Sequence, residues 1–276
     1  MPAKLPPLSS LGAQLAWWRR HRGVSQLDLA LQAGVSSRHL SFLENDRAKP
    51  SREVLARLAA ALELPLRAEN ALLVAADLAP RHRESRLTDG ELARAELALA
   101  TIVDNHDPFP AIVLDRMWNV VRANRAMSCL TDLLLTPAEQ VAAGAPNIMR
   151  LTYHPEGLGR FIANWDETAA AYLQWLHRDV RQTGDPTLAG LLGEILVHAP
   201  AGGRDPSLDH PGEPYLSMRF VKDGFEAAFF TIAATLGTPY DVTLQELRLE
   251  LFYPADDHTT ALMHDLAGRA GAQPSA

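Results

Sequence analysis

The side chains best suited to recognition chemistry lie in one short stretch, residues 36–49. The planar guanidinium of Arg38 can form two parallel hydrogen bonds to O6 and N7 of guanine, a contact that discriminates between bases by about 1–3 kcal/mol. Phe42, four residues later, can contact the methyl group of thymine. Arg47 and Lys49 can bind phosphate oxygens, which adds affinity that depends on salt but not on base sequence. These residue types indicate recognition of duplex DNA, provided that a free helix face presents them.

Each of these side chains also has a simpler interpretation. Arg38 can bind a phosphate alone, and Phe42 can pack against its own domain instead of entering a groove. His39, next to Arg38, is most simply solvated or in contact with the DNA backbone. The sequence leaves these alternatives open.

The rest of the sequence contains no recognisable catalytic or metal-binding motif. It has no Gly-x-Ser-x-Gly, His-Glu-x-x-His, phosphate-loop or dinucleotide-binding pattern, so we expect no enzymatic activity, metal or cofactor. The single cysteine, Cys129, excludes an intramolecular disulfide, and its apolar neighbours predict a buried structural thiol. Seven histidines without ligand spacing are expected to be scattered or hydrogen-bonded: His106, His154, His177, His198, His210, His258 and His264.

Helical periodicity and capping residues predict the elements that position the recognition residues. Apolar residues recur at helical spacing from Leu11, and this first helix ends at Gly23. Ser25, with an acidic residue three positions later, caps a second helix that runs to Ala33. Two further helices are predicted after the third, one from Pro50-Ser51 and one over residues 67–76.

The third helix is predicted to carry the reading face. Gly34 ends the second helix, and Ser36 caps a third that runs to Glu44. Two short helices joined by a glycine turn are typical of a helix-turn-helix, whose second helix enters the major groove. Val35, Leu40 and Leu43 are predicted to face the core, which leaves the open face to Ser36, Ser37, Arg38, Ser41 and Phe42.

Length and charge predict a small DNA-binding domain attached to a larger one. The 276 residues are too many for one such module, and the net charge of −7 is unevenly spread. Residues 1–86 carry a net +5 and residues 87–276 a net −12. No apolar run is long enough to cross a bilayer and no secretory signal is visible, so we expect a cytoplasmic protein with no membrane partner. The predicted parts are a flexible arm (1–10), the helix-turn-helix domain (11–78), a charged linker (79–88), a second domain (89–268) and a disordered tail (269–276).

The second domain has the pattern of an α+β fold. A helix over residues 89–106 precedes a hairpin, in which strand 111–114 joins strand 117–121 through a two-residue turn. Residues 125–198 are predicted to be mainly helical and residues 199–214 to form a loop. Three strands then form a meander over 215–221, 225–235 and 242–253. This predicts an antiparallel sheet of about five strands with a helical insertion.

Large aromatic side chains in this domain are candidates for an apolar ligand pocket. Phe161, Trp165, Tyr172 and Trp175 fall close to one helical stripe, which is consistent either with plain core or with a cavity lining. The candidate pocket residues are Trp118, Tyr153, Phe161, Trp165, Tyr172, Trp175 and Phe229.

One set of residues carries a family resemblance through the first domain. They are Arg19, Ser25-Gln26, Leu29-Ala30, Ala33-Gly34-Val35-Ser36, Leu40-Ser41, Leu43-Glu44, Pro50-Ser51 and Leu55. In this order and spacing, residues 11–76 resemble the Cro/phage-repressor (XRE) helix-turn-helix family, a five-helix α-helical domain. The resemblance implies that Arg19 and Glu44 form an internal ion pair and do not contact DNA. The DNA contacts that follow from the resemblance and the open face are Ser25, Gln26, Ser36, Ser37, Arg38, Ser41, Phe42, Asn45, Arg47 and Lys49.

A second resemblance covers the start of the larger domain. The segment from Phe109 to Asn124, then His154-Pro155-Glu156-Gly157-Leu158 and Asn164-Trp165, is similar to the MmyB-like ligand-binding domain, which is PAS-like. The resemblance implies a pocket for a small, apolar effector, a fatty acid being the family-level suggestion. It assigns no individual ligand contacts.

Together these features predict a transcription regulator that represses nearby genes. We expect a homodimer on paired half-sites of an operator, because one small head buries too little surface for tight specific binding. The alternative is a DNA-tethered interaction module whose second domain binds a protein partner. An enclosed apolar pocket favours the effector, and an exposed apolar patch favours the partner.

Overall fold

The computed structural model describes residues 10–85, 90–200, 216–236 and 241–271. Nearly all of the arm predicted over 1–10, most of the loop predicted over 199–214 and residues 86–88 of the linker predicted over 79–88 lie outside these residues. So does most of the tail predicted over 269–276, although the last helix runs to Gly271. The chain divides into two compact units, the first comprising residues up to 84 with 178–189 and 240–242, and the second comprising the rest.

Five helices form the N-terminal part of the first unit, as the sequence predicts. Serines cap four of them, and each hydroxyl accepts a hydrogen bond from the backbone N–H three residues later. Gly23 and Gly34 follow the first and second helices with φ of +69° and +63°, a conformation that glycine adopts without strain. The helices are α1 (Leu11–His21), α2 (Gln26–Gln32), α3 (Ser37–Glu44), α4 (Arg52–Ala61) and α5 (Leu66–Ala75).

Leucines from all five helices meet in one core. Leu40 and Leu43, on the predicted inner face of α3, are fully buried, and Val35 packs against the same cluster. The core also includes Leu15, Leu29, Leu55, Leu58, Leu72 and Trp18. Burial of this apolar surface fixes which face of α3 remains outside.

The rest of the described chain is α+β, also as predicted. Its strands are β1 (Ala111–Leu114), β2 (Val120–Ala123), β3 (Leu216–Lys222), β4 (Phe225–Ala234) and β5 (Arg248–Pro254). Its α-helices are α6 (Ala93–Asp104), α7 (Arg125–Leu134), α8 (Pro137–Ala142), α9 (Ile148–Tyr153), α10 (Trp165–Thr183), α11 (Pro186–His198), α12 (Val242–Gln245) and α13 (Asp257–Gly271). Short 3₁₀ turns cover Gly90–Leu92 and Leu158–Phe161.

The five strands form one antiparallel sheet in the order β2-β1-β5-β4-β3. One face packs against α6, where Leu99 and Val103 join Val113 and Leu249 in a cluster. The alternate residues of β5 point to the other face, where Tyr172 of α10 contacts Glu250. The sheet therefore separates two apolar layers.

Two local predictions for the sheet are wrong. The predicted two-residue hairpin turn is a five-residue connection, because the Asp115 carboxylate accepts hydrogen bonds from the backbone N–H groups of Met117 and Asn119. The connection holds Trp118 at a φ of +65°, outside strand geometry. The last predicted strand also starts late. Its pairing with β1 begins at Arg248 and its pairing with β4 at Leu249, so residues 242–245 have no neighbouring strand and form a helical turn.

Asn124 ties the first hairpin to the helix that follows it. Its side-chain oxygen accepts hydrogen bonds from the backbone N–H groups of Met127 and Ala111, each at 3.0 Å. Its amide nitrogen donates to the carbonyl oxygen of Phe109 at 2.7 Å. Asn124 is therefore both the N-cap of α7 and a support for β1.

Gly12 allows α1 to approach the end of α3 closely. A Cβ atom at this position would lie 2.6 Å from the carbonyl oxygens of both Leu43 and Glu44. We therefore expect Gly12→Ala to lower the free energy of unfolding by about 1–3 kcal/mol, because backbone atoms cannot move aside cheaply. Urea unfolding of the full chain measures this change.

Gly193→Ala is the matched control, since a Cβ atom there would contact nothing within 4 Å and the residue lies within α11. This control is expected to be neutral or to stabilise by up to about 1 kcal/mol, through helix propensity. Equal effects of the two substitutions would refute the close approach.

Candidate nucleic-acid interface and apolar cavity

The outer face of α3 carries the predicted reading residues. Ser37 and Arg38 are exposed in its first turn, where Ser36 caps the helix. Ser41 and Phe42 are partly buried one turn later. All of these lie away from the buried Leu40 and Leu43, so one face of α3 remains open to a groove.

Arg38 and Phe42 form a pair on this face that the sequence reasoning did not identify. The guanidinium carbon of Arg38 lies 5.4 Å from the centre of the Phe42 ring, a cation–π geometry. The four-residue spacing within a helix was the available signal. Stacking on the ring restricts the arginine rotamers, which reduces the entropy lost when its donors engage a base.

An ion pair inside the first unit holds α3 against α1, as the resemblance implied. Arg19 donates two hydrogen bonds to the Glu44 carboxylate, from Nε to Oε1 at 2.6 Å and from Nη2 to Oε2 at 3.0 Å. Its third donor, Nη1, reaches the carbonyl oxygen of Val24 at 3.0 Å. The hydrogen bond to Glu44 raises the pKa of Arg19. The predicted internal role of Arg19 and Glu44 is confirmed.

Gln26 belongs to the same network. Its amide Nε2 donates to Oε2 of Glu44 at 2.6 Å. In this structure the side chain at the start of α2 therefore joins the ion pair, and its contact with a phosphate stays a prediction. The hydroxyl of the preceding Ser25 caps α2 and donates to the Asp28 carboxylate at 2.6 Å.

The loop after α3 is held in place by side-chain and backbone hydrogen bonds. Asn45 donates from Nδ2 to the carbonyl oxygen of Ser41 at 2.7 Å, and Asp46 accepts from the backbone N–H of Gly12 at 2.8 Å. Arg47 and Lys49 are exposed. Lys49 lies 3.4 Å from Asp77, and both side chains are so exposed that this surface pair contributes little stability. The two cations therefore remain available to phosphate oxygens.

A small apolar cavity lies in the second unit between the sheet and its inserted helices. Its volume is about 20 Å³, enough for little more than one water molecule. Its walls come from α7, α9, α10, β3, β5 and the segment around the second 3₁₀ turn. The lining residues are Met127, Leu130, Thr131, Leu134, Ile148, Thr152, Leu158, Ile162, Tyr172, Met218, Phe220 and Phe252. Aliphatic and methionine side chains therefore form most of the lining.

Tyr172 is the one residue of the predicted pocket set that lines this cavity. Phe229 lies behind it, with its ring centre 6.3 Å from that of Phe220 and 6.2 Å from that of Phe252. Trp118 and Trp175 flank Tyr172 at 6.1 and 5.6 Å between ring centres.

The other three aromatic candidates lie apart from the lining. Tyr153 is buried and edge-on to Trp165, with ring centres 5.0 Å apart, and burial raises its pKa. Phe161 belongs to a 3₁₀ turn rather than to α10, so the predicted single helical stripe is broken. Its ring faces the cations of Arg160 and Lys222 at 4.7 and 5.2 Å.

A buried polar group accompanies the cavity. Glu250 of β5 is 0% exposed, and the Tyr172 hydroxyl lies 3.2 Å from its Oε2. Burial raises the pKa of Glu250 to about 7, although the charge of Arg248 and the hydrogen bond from Tyr172 act in the opposite direction. Burial and the adjacent Glu250 also raise the pKa of Tyr172. The sequence reasoning missed Glu250, whose signal was an acidic residue within an apolar strand.

The structure also bears on the predictions for the cysteine, for metal binding and for the membrane. Cys129 is partly exposed rather than buried, because the buried face of α7 is formed by Ala126, Met127, Leu130 and Leu134. Within the described ranges no group of three His, Cys, Asp or Glu side chains is arranged to hold a metal ion. Across the same residues no helix has the length and apolarity needed to cross a membrane.

Models of known protein families match both parts of the chain. A helix-turn-helix family model matches residues 15–68. No curated protein matches significantly. The solved "Structure of an RNA-binding Light-Oxygen-Voltage Receptor" is 15% identical to this chain, with a TM-score of 0.22. The match covers 96% of this chain and 64% of the receptor chain, so this chain spans less than two thirds of the receptor's length.

The larger part of the chain gives the more extensive match. The model of the MmyB-like transcription regulator ligand binding domain matches residues 95–266, which is more than half of the chain. That segment contains the sheet, its inserted helices and the apolar cavity. The chain therefore belongs to the family of the MmyB-like transcription regulator ligand binding domain, which it carries behind a helix-turn-helix domain.

Proposed function

We propose that the chain is a sequence-specific DNA-binding transcription regulator that represses genes near its operator. The observation that carries the proposal is the open face of α3, where Ser37 and Arg38 are exposed while Leu40 and Leu43 on the opposite face are buried. A helix with one face fixed in a core and a polar, cationic face outside suits insertion into the major groove.

The proposed contacts divide into base-reading and backbone-binding groups. Arg38, Phe42 and Ser37 read base edges, with Arg38 gripping a guanine. Phosphates are bound by hydrogen-bond donors around them, which fix the orientation of the unit on the duplex. The proposed backbone contacts are Ser25, Gln26, Ser36, Ser41, Asn45, Arg47 and Lys49.

The regulator is proposed to act as a cytoplasmic homodimer. One helix-turn-helix head buries too little surface for tight specific binding, whereas two heads can occupy half-sites about 34 Å apart, one turn of the duplex.

The second unit is proposed to bind a small, mainly apolar effector, for which a fatty acid is the family-level suggestion. The cavity supports this proposal because its walls are apolar and lie inside the domain. It must expand to admit such a molecule. Met127 and Met218 in its walls suit that change, because unbranched methionine side chains repack readily.

Leu130→Phe is expected to fill the cavity and to weaken effector binding about tenfold, because Leu130 is buried in its wall. Leu133→Phe is the matched control, since Leu133 lies on the same helix but is 37% exposed. Native mass spectrometry of freshly purified protein gives the readout. We expect a lipid-sized mass on the wild type and on the control, and less of it on Leu130→Phe.

A bare chain in all three samples would count against the effector. Co-purification of a second polypeptide in its place would favour the alternative, in which the second unit binds a protein partner.

A further inference from the structure

A buried carboxylate in contact with the cavity wall has one oxygen without a hydrogen-bond partner in the described part of the chain. Tyr172 forms part of the cavity wall, and its hydroxyl reaches Oε2 of Glu250. The other oxygen of that carboxylate, Oε1, is fully buried and accepts no hydrogen bond from the described part of the chain. Buried polar atoms in folded proteins are almost always paired, so an unpaired oxygen on a carboxylate that contacts the cavity wall requires an explanation.

The strand places Glu250 on the ligand side of the sheet. Phe252, two residues further along β5 and therefore on the same face, also lines the cavity. The residues paired with Glu250 on the neighbouring strands are Ile112 and Ala233, which offer no side-chain donor. A partner for Oε1 must therefore come from elsewhere.

Among the residues that the structure describes, the charged and titratable groups that act on Glu250 are Tyr172 and Arg248. Tyr172 approaches it from α10, and Arg248 precedes it on β5, with its guanidinium 4.3 Å above the Trp118 ring. Burial raises the pKa of Glu250 to about 7, and the charge of Arg248 acts in the opposite direction. Glu250 can therefore take up or release its proton near neutral pH.

We propose that the free oxygen of Glu250 is the polar contact for the effector, so that the cavity selects an apolar molecule whose polar end donates a hydrogen bond, such as a hydroxyl group. This inference rests on the proposed effector function and narrows its ligand class. A donor completes the hydrogen bonding of the carboxylate without adding charge. A carboxylate ligand would bring a second negative charge to a buried acid, and it binds only if the two groups share a proton. A fatty acid therefore fits best in its protonated form.

Three ten-carbon probes separate these possibilities. They are 1-decanol, which donates a hydrogen bond, methyl decanoate, which only accepts, and decanoate, which is an anion. Binding to the full chain at pH 8 is measured by titration calorimetry. We expect 1-decanol to bind at least tenfold more tightly than either of the other two.

Glu250→Gln tests the residue itself. Its amide nitrogen can donate to an ester and to a carboxylate, so the preference for 1-decanol should fall to about twofold or less. Glu226→Gln on β4 is the matched control, because Glu226 is exposed. This control should keep the wild-type preference.

The wild-type protein provides a second readout that needs no variant. Neither 1-decanol nor methyl decanoate titrates, so any pH dependence of their relative affinity reports on the protein. Because protonated Glu250 can donate to the ester, the preference for the alcohol should be smaller at pH 6 than at pH 8.

The outcomes distinguish the inference from the function on which it rests. If methyl decanoate or decanoate binds as tightly as 1-decanol at pH 8, or if Glu250→Gln keeps the tenfold preference, the inference is wrong and the apolar effector stands. If none of the three probes binds, the proposed effector function fails, and the inference fails with it.

Discussion

Arg38→Ala is expected to weaken operator binding by roughly 5- to 150-fold, the equivalent of one bidentate contact to guanine. The loss should depend on sequence. Duplexes that carry the contacted guanine should lose most affinity, while those with another base at that position should lose little, because the variant no longer distinguishes them. Fluorescence anisotropy with matched duplexes measures both affinities.

Arg94→Ala is the control for this experiment. It removes the same charge from α6, outside the helix-turn-helix, and should leave the preference for the guanine unchanged. The alternative role of Arg38 as a phosphate contact predicts a different pattern. In that case affinity falls by the same factor on every duplex, and the slope of log K against log salt falls by about 1. A uniform loss would therefore contradict base reading.

Glu44→Ala is expected to lower the free energy of unfolding of the first unit by about 3–5 kcal/mol. The Glu44 side chain is only 4% exposed and accepts hydrogen bonds from Arg19 and Gln26. Its removal leaves the guanidinium of Arg19, itself only 15% exposed, without its counter-ion. Urea unfolding followed by tryptophan fluorescence measures this loss, because two of the five tryptophans, Trp17 and Trp18, lie in the same core.

Two further variants separate the ion pair from general packing. Gln26→Ala removes one donor to Glu44 but leaves the pair intact, so it should cost only about 1 kcal/mol. The double variant Arg19→Met, Glu44→Leu should recover much of the loss, because it leaves no unpaired buried charge. A loss below 1 kcal/mol for Glu44→Ala would show that the pair does not hold α3 against α1.

The five-helix domain could be predicted from the sequence because local signals determine its boundaries. Ser25 and Ser36 cap helices through hydrogen bonds to residues three positions away, and Gly23 and Gly34 end helices through their own backbone conformation. The role of Gln26 was harder to predict from the sequence. The resemblance pointed to a phosphate, but the structure places its amide against Glu44, 18 residues away in sequence.

The cavity could not be predicted because its walls come together only in the tertiary structure. Met127, Ile148, Met218 and Phe252 belong to four different elements. The aromatic residues were a poor guide, because large rings can fill a core as well as line a cavity. Here Tyr172 lines the cavity, Trp118, Trp175 and Phe229 pack next to lining residues, and the other three candidates lie apart from it. The prediction of a two-residue turn in the first hairpin was wrong for a local reason. The Asp115 carboxylate accepts hydrogen bonds from backbone N–H groups and so stabilises a longer connection.

Sequence-specific DNA binding by the open face of α3 is the central property proposed for this protein. The most direct test is selection of bound duplexes from a random pool by the purified full-length chain, followed by sequencing. We expect enrichment of one motif with two half-sites about 10 base pairs apart, containing a guanine whose enrichment is lost with Arg38→Ala. Recovery of duplexes that share no motif, or of the same motif with Arg38→Ala, would contradict it.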